Sequence, residues 1–218
     1  MNAPGVLVTV EGIGGSGKST LARNLAEALA TDGYPVISSR EPGATSLGIE
    51  LRRLLLDPTS PTVRWAEAFL FEADRAQTYD ELIHPAIMRG EIVVSDRNLY
   101  GTIAYQGFGR ELDLDLIDSM TAAATRGLYP DMIFVVDIEP KIGLTRKLGQ
   151  DEADRFDREK LDFQDRVREG YLFAASRDAG RAFVLDGQKA PEEVLTEALR
   201  LLRPLLEQKG LDKSRSVR

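Results

Sequence analysis

Five short apolar runs punctuate the chain: Val6–Val10, Pro35–Ser39, Ile92–Ser95, Met132–Asp137 and Ala182–Leu185. They are rich in Val, Ile and Phe, the composition of strands buried on both faces. Longer segments with a helical period lie between them. In Ser19–Thr31 the apolar residues Leu21, Ala22, Leu25, Ala28 and Leu29 fall on one face. Leu47–Leu56, Trp65–Met88, Asp113–Thr125, Lys160–Ser176 and Pro191–Leu206 read the same way. Strands alternating with helices predict an α/β protein of three layers, a five-stranded parallel sheet flanked by helices. The Val6 strand is expected at its centre, with the ligand crevice at the strands' carboxyl ends.

Gly149–Arg158 breaks this pattern, being highly charged and nearly without apolar residues. It reads either as a solvated loop or as a lid over a site. No repeat or Pro/Gly-rich linker divides the 218 residues, so residues 1–208 are expected to form one domain. The polar, basic residues 209–218 are expected to fray.

Composition narrows the chemistry. With 28 basic and 35 acidic residues the net charge is −7, which argues against nucleic acid as the main partner. A bound anion must therefore be held by local devices. No cysteine is present and His84 is the sole histidine, which excludes disulfides, thiolate zinc sites and multi-histidine metal sites. No apolar run approaches the ~20 residues of a membrane span, and Met1–Gly5 lacks the basic start of a signal peptide. A cytoplasmic protein is the expectation.

The first strand runs into Gly12-Ile13-Gly14-Gly15-Ser16-Gly17-Lys18-Ser19, which fits G-x-x-x-x-G-K-[ST] between an apolar strand and an amphipathic helix. Glycines let successive N–H groups point at phosphate oxygens. Lys18 brings a point charge, and Ser19, followed by Thr20, brings a hydroxyl for Mg²⁺. This pattern indicates binding of a nucleoside triphosphate without telling a kinase from a GTPase. The third strand ends in Asp96-Arg97. Asp96 there suits Mg²⁺ or a metal-linked water, or caps the next element. Arg97 could clamp a phosphoryl group by paired hydrogen bonds.

Several motifs follow in order: Arg40-Glu41-Pro42-Gly43-Ala44-Thr45, Leu47-Gly48, Leu51-Arg52, Leu70-Phe71-Glu72-Ala73-Asp74-Arg75-Ala76-Gln77, Asp96-Arg97, Ala104-Tyr105-Gln106-Gly107-Phe108-Gly109-Arg110, Tyr129-Pro130-Asp131, Asp154-Arg155-Phe156 and Asp162-Phe163. With the phosphate loop they resemble the bacterial type of the thymidylate kinase family over nearly the whole chain. The resemblance implies a P-loop kinase fold with a mobile lid at about 147–159, and a homodimer. It implies phosphoryl transfer from MgATP to a pyrimidine deoxynucleoside monophosphate, most simply dTMP to dTDP.

It also implies roles. Gly12, Gly15, Ser16, Gly17, Lys18, Ser19 and Thr20 would bind ATP, and Ser19 and Asp96 the metal. Phe71 would stack on the base, although, taken alone, a Phe in this apolar helix reads more readily as simple core burial. Arg75, one helical turn on, would meet the base edge. Thr102 would hydrogen-bond the base, Tyr105 would crowd the sugar 2′ position, and Gln106 would add a polar contact. Arg97 would hold the acceptor phosphate, with Arg40 and Arg52 as further phosphate candidates. Lys18, Arg97 and the lid residue Arg155 would be the catalytic cations. Arg155 could equally form an ordinary ion pair with a nearby carboxylate. Arg146 and Arg158 are the other lid candidates. Three positions depart from the resemblance. Gly14 stands where the family usually has an acidic residue beside the acceptor sugar, Asn98 replaces an aromatic, and Gly101 replaces a small hydroxyl residue. They raise two further readings: a kinase for a modified or sugar-altered pyrimidine monophosphate, or a nucleotide-binding protein with weakened catalysis.

Overall fold

The computed structural model describes residues 5–148 and 155–211. Five strands, β1 (Val6–Glu11), β2 (Val36–Arg40), β3 (Ile92–Asp96), β4 (Met132–Asp137) and β5 (Ala182–Asp186), form one parallel sheet in the order β2-β3-β1-β4-β5. The Val6 strand is central, as its unbroken apolar run predicts. Every residue of β1 is buried, including the polar Thr9 and Glu11, whereas edge strands β2 and β5 are only partly covered.

The sheet pleat sorts β1 onto two cores. Val6, Val8 and Val10 face α1 (Lys18–Thr31) and α9 (Pro191–Gln208), meeting Leu21, Leu25, Leu29, Val194, Ala198, Leu202 and Leu206. These helical residues recur three or four apart, which puts each set on one stripe. Leu7 turns to the other face, against Tyr79 and Ile83. That second face is covered by α2 (Ser46–Leu56), α3 (Arg64–Thr78), α4 (His84–Arg89), α5 (Leu99–Thr102), α6 (Leu114–Thr125), α7 (Pro140–Leu148) and α8 (Leu161–Arg177), with α2 packed on α3 and α3 on α6.

Two stretches differ from the helical reading. Trp65–Met88, expected as one helix, is α3 and α4 joined through a π-helical turn at Tyr79–Ile83. Pro85 explains the widening: it lacks an N–H, and its ring would meet the carbonyl of Glu81 in a regular α-helix. Residues 99–109, which gave no helical period, form α5 and a second π-helical stretch, Ile103–Gly109. Nearly every residue there is buried, so no polar face marks the period. Gly170 on α8 lets this stretch approach: a Cβ at position 170 would lie 2.7 Å from the Ala104 Cα.

Of the expected lid, residues 149–154 lie outside the described residues. The part that follows is packed: Phe156 is buried in the core beside Tyr105 and Phe163. Of the C-terminal segment, Lys209 pairs with Asp131 at 2.8 Å, and residues 212–218 lie outside the described residues. Among the described residues no helix is long and apolar enough to cross a membrane.

Candidate active site

The carboxyl ends of β1, β2 and β3 open into a cavity of about 280 Å³. The phosphate loop forms one wall. Gly12, Gly15 and Gly17 have φ of 143°, 74° and 96°, a backbone open to glycine at little cost. At Gly15 space is also short, since a Cβ would sit 2.3 Å from the Gly143 carbonyl oxygen. Ser16 is buried and its Oγ accepts from the Lys18 N–H at 3.4 Å. Lys18 opens α1, and Lys18 and Ser19 line the cavity. Thr20 follows within the same first turn. Loss of solvation, with the Arg97 charge nearby, pushes the Lys18 ammonium down to about 8.

Asp96, the last residue of β3, lines the same cavity as Ser19. Its Oδ1 is buried without a hydrogen-bond partner among the described residues. A serine hydroxyl and an unsatisfied carboxylate oxygen are the hard donors Mg²⁺ takes, so the residues present fit that ion. Arg97, with φ 75°, is held by its own N–H to the Val10 carbonyl at 2.9 Å. Its guanidinium lies 4.8 Å over the Tyr105 ring and donates to the Tyr171 hydroxyl. Gly101 leaves room for this pose, because a Cβ there would come within 3.0 Å of Arg97 Cγ and Cδ.

The same cavity also carries the expected base-site residues. Phe71 and Arg75, one turn apart on α3, both line it, as do Thr102, Tyr105 and Gln106. Arg75 is almost fully buried. Its Nε donates to Glu41 at 3.0 Å, Nη1 to Thr102 at 3.0 Å and to Glu72, and Nη2 to the Asn98 carbonyl at 3.0 Å. Burial alone would lower its pKa, but Glu72 and Glu41 outweigh this and hold it above the usual arginine value. Gln106 donates to Glu67 at 2.8 Å. Arg52 donates to the Pro42 carbonyl at 2.9 Å, and Arg40 and Arg52 reach the same cavity.

Sequence reasoning passed over what holds this set together. Asn98, treated as a departure in the acceptor site, is fully buried. Its N–H donates to Glu11 at 2.8 Å and its Nδ2 to Glu41 at 3.0 Å. Its Oδ1 accepts from the Tyr79 hydroxyl at 2.9 Å and from the Leu99 N–H at 2.8 Å, capping α5. Burial pushes the Glu11 carboxyl up to about 7 and Glu41 up to about 8, against the opposing pull of Arg97 and Arg75 respectively. The available signal was position: Glu11 and Glu41 stand at the carboxyl ends of β1 and β2, where charged residues face the crevice.

Arg155 is the one expected catalytic cation that does not line the cavity. It pairs with Glu67 at 2.9 Å and lies 4.8 Å over the Phe156 ring. Glu67 also holds Arg110 and Gln106, so the arm after the lid is tied to α3 and the 103–109 stretch. Arg146 braces the phosphate loop through the Gly15 and Gly187 carbonyls at 3.3 and 3.0 Å. Arg158 is exposed. Lys147 and Asp157, which were not singled out for the site, do line the cavity and pair at 3.4 Å.

Comparisons with known proteins agree with this geometry. A family model described as thymidylate kinase matches residues 10–198. The thymidylate kinase of Carboxydothermus hydrogenoformans is 48% identical over 193 residues, covering 88% of this chain and 94% of that protein. That of Desulfovibrio desulfuricans is 41% identical over 213 residues, covering 94% and 98%. Among solved structures, a thymidylate kinase from Ehrlichia chaffeensis superposes with a TM-score of 0.75 at 30% identity, covering 92% of this chain and 100% of that one. With its phosphate loop, its parallel sheet and these relatives, the chain belongs to the thymidylate kinase family.

Proposed function

We propose that the protein transfers the terminal phosphoryl group of ATP to dTMP, giving dTDP and ADP. The observation that carries this reading is one cavity whose lining includes Lys18 and Ser19 of the phosphate loop together with Phe71, Arg75, Thr102, Tyr105, Gln106 and Arg97. Two phosphorylated ligands brought together by a chain of net charge −7 need local cations, and the cavity supplies them.

Lys18 and the loop N–H groups would hold the donor phosphates. Ser19 and Asp96 would hold Mg²⁺, which when bound neutralises charge on the phosphate oxygens. Arg97 would fix the acceptor phosphate so that one of its oxygens attacks the terminal phosphorus as the bond to ADP breaks. Phe71 would stack on thymine and Arg75 would donate to its edge, its orientation set by Glu41 and Glu72. Tyr105 would press against the sugar. Asn98 is bonded to Glu11, Glu41 and Tyr79 and Gly101 makes room for Arg97, roles that fit dTMP without calling for a modified acceptor. Arg155 would reach the transferring group only after exchanging its Glu67 partner. A cytoplasmic location fits this metabolic role. Exposed Leu54, Phe69 and Leu116 on α2, α3 and α6 support a homodimer, read out by light scattering.

The test is ADP release from MgATP with dTMP, dUMP, UMP, CMP and dCMP as acceptors. A preference for dTMP is expected. Equal turnover of the ribonucleotides, or none of dTMP, would overturn the reading.

A further inference from the structure

Arg97 is a guanidinium among carboxylates. Glu11 and Asp96 lie near enough for their charges to act on it. A buried arginine so placed would ordinarily close on one of them, each cancelling the other's charge. Among the described residues it forms no ion pair; its Nη1 donates instead to the Tyr171 hydroxyl of α8. The N–H of Gly12, the first residue of the phosphate loop, donates to the same oxygen. The rest of the guanidinium is placed by packing, 4.8 Å over the Tyr105 ring, which meets the Tyr171 ring edge to face with centroids 6.2 Å apart. Tyr171 is 1% exposed. Core burial accounts for its ring, and a phenylalanine would fill that space. Its hydroxyl is costly to bury without partners, and the partners it has are the Arg97 guanidinium and the phosphate loop. Burial pushes this phenol well above its ordinary value in spite of the Arg97 charge, so it stays neutral.

We propose that Tyr171 is a positioning residue for phosphoryl transfer, its hydroxyl holding the Arg97 guanidinium off Glu11 and Asp96 and available to the acceptor phosphate. This rests on the reading of Arg97 as the group that holds that phosphate. A neutral oxygen fixes a guanidinium without cancelling its charge, whereas a carboxylate in the same place would compete with the phosphate for it. Asp96 benefits as well, since its Oδ1 stays unpartnered and open to Mg²⁺. One phenol oxygen thereby ties the loop that would hold the donor phosphates to the residue that would hold the acceptor phosphate.

The experiment measures binding of dTMP and of thymidine, which lacks only the phosphate, by calorimetry in wild type, Tyr171→Phe, Arg97→Ala and the double variant, with kcat alongside. Tyr171→Phe keeps the ring and removes only the hydroxyl. Its preference for dTMP over thymidine should fall about tenfold, the scale of one hydrogen bond to a charged group, with thymidine Kd unchanged and kcat lowered. In the Arg97→Ala background, adding Tyr171→Phe should change the preference no further, because the hydroxyl acts through the guanidinium. A hydroxyl that served packing alone would weaken both ligands alike, or would show the same effect with and without Arg97. Either of those results, or an unchanged preference in Tyr171→Phe, would overturn the inference and leave the proposed function standing. Failure of wild type to phosphorylate dTMP would overturn the proposed function and this inference with it.

Discussion

Truncating Asn98 to alanine should destabilise the fold by about 3–6 kcal/mol. The side chain is fully buried and serves three partners: Glu41 Oε1 at 3.0 Å, the Tyr79 hydroxyl at 2.9 Å and the Leu99 N–H at 2.8 Å. Each buried group left without its partner costs roughly 1–3 kcal/mol, so the three would sum to about 3–9 kcal/mol. The lower end applies because Glu41 keeps Arg75 at 3.0 Å. For a chain of this length about 3 kcal/mol corresponds to a fall of roughly 10 °C in Tm. Urea unfolding followed by circular dichroism measures it directly, with an unchanged m-value showing that only stability moved. Asn98→Asp should be worse at pH 8 than at pH 5, since it sets a third carboxylate between Glu11 and Glu41. A loss below about 1 kcal/mol in Asn98→Ala would refute the claim that this side chain ties Glu41, Tyr79 and the start of α5 together beneath the acceptor site.

Three further outcomes follow from the site. Glu11 has its carboxyl raised from 4.5 to about 7 by burial, so between those values the folded state holds a proton the unfolded chain has released. Its contribution is present below pH 4.5 and lost as pH rises through about 7, on the order of 3 kcal/mol in all; Glu11→Gln should flatten the stability–pH slope in that window by one proton, and an unchanged slope would contradict it. Loss of solvation lowers the Lys18 ammonium to about 8, so ATP binding should take up close to one proton above pH 8.5 and almost none at pH 7. Calorimetry in buffers of different ionisation enthalpy reads this uptake, and none at either pH would remove Lys18 from the phosphate site. Arg155→Ala should lower kcat by roughly 10³-fold with ATP KM little changed; a pure KM effect would make it a ground-state contact, and no effect would leave it an ion-pair partner of Glu67.

What the sequence disclosed and what it hid divide by distance along the chain. The phosphate loop is contiguous, with its glycines, Lys18 and Ser19 adjacent, so its chemistry is readable directly. The five strands declare themselves by short apolar runs, those of β1, β3 and β4 buried on both faces, and Phe71 and Arg75 share a face through helical spacing. Residues 99–109 are buried all round and interrupted by glycines, which erases the period a helix needs to be recognised. The carboxylate network is hidden for another reason: Asn98 joins Glu11 across 87 positions and Glu41 across 57, and nothing local announces such pairs. Gly14 gives the sharpest case. Read alone it is a missing side chain, and only the fold shows Asp157 in the space it leaves. Arg155 has the right sequence context for a lid cation, but its pairing with buried Glu67 depends on where α3 lies.

The most direct measurement of the central claim is product identification from purified protein, MgATP and dTMP, by ³¹P NMR or anion-exchange chromatography, with Lys18→Ala alongside. The account predicts dTDP and ADP in equal amounts from wild type and neither from a folded Lys18→Ala protein. ADP without dTDP, or dTDP at undiminished rate in Lys18→Ala, would contradict it.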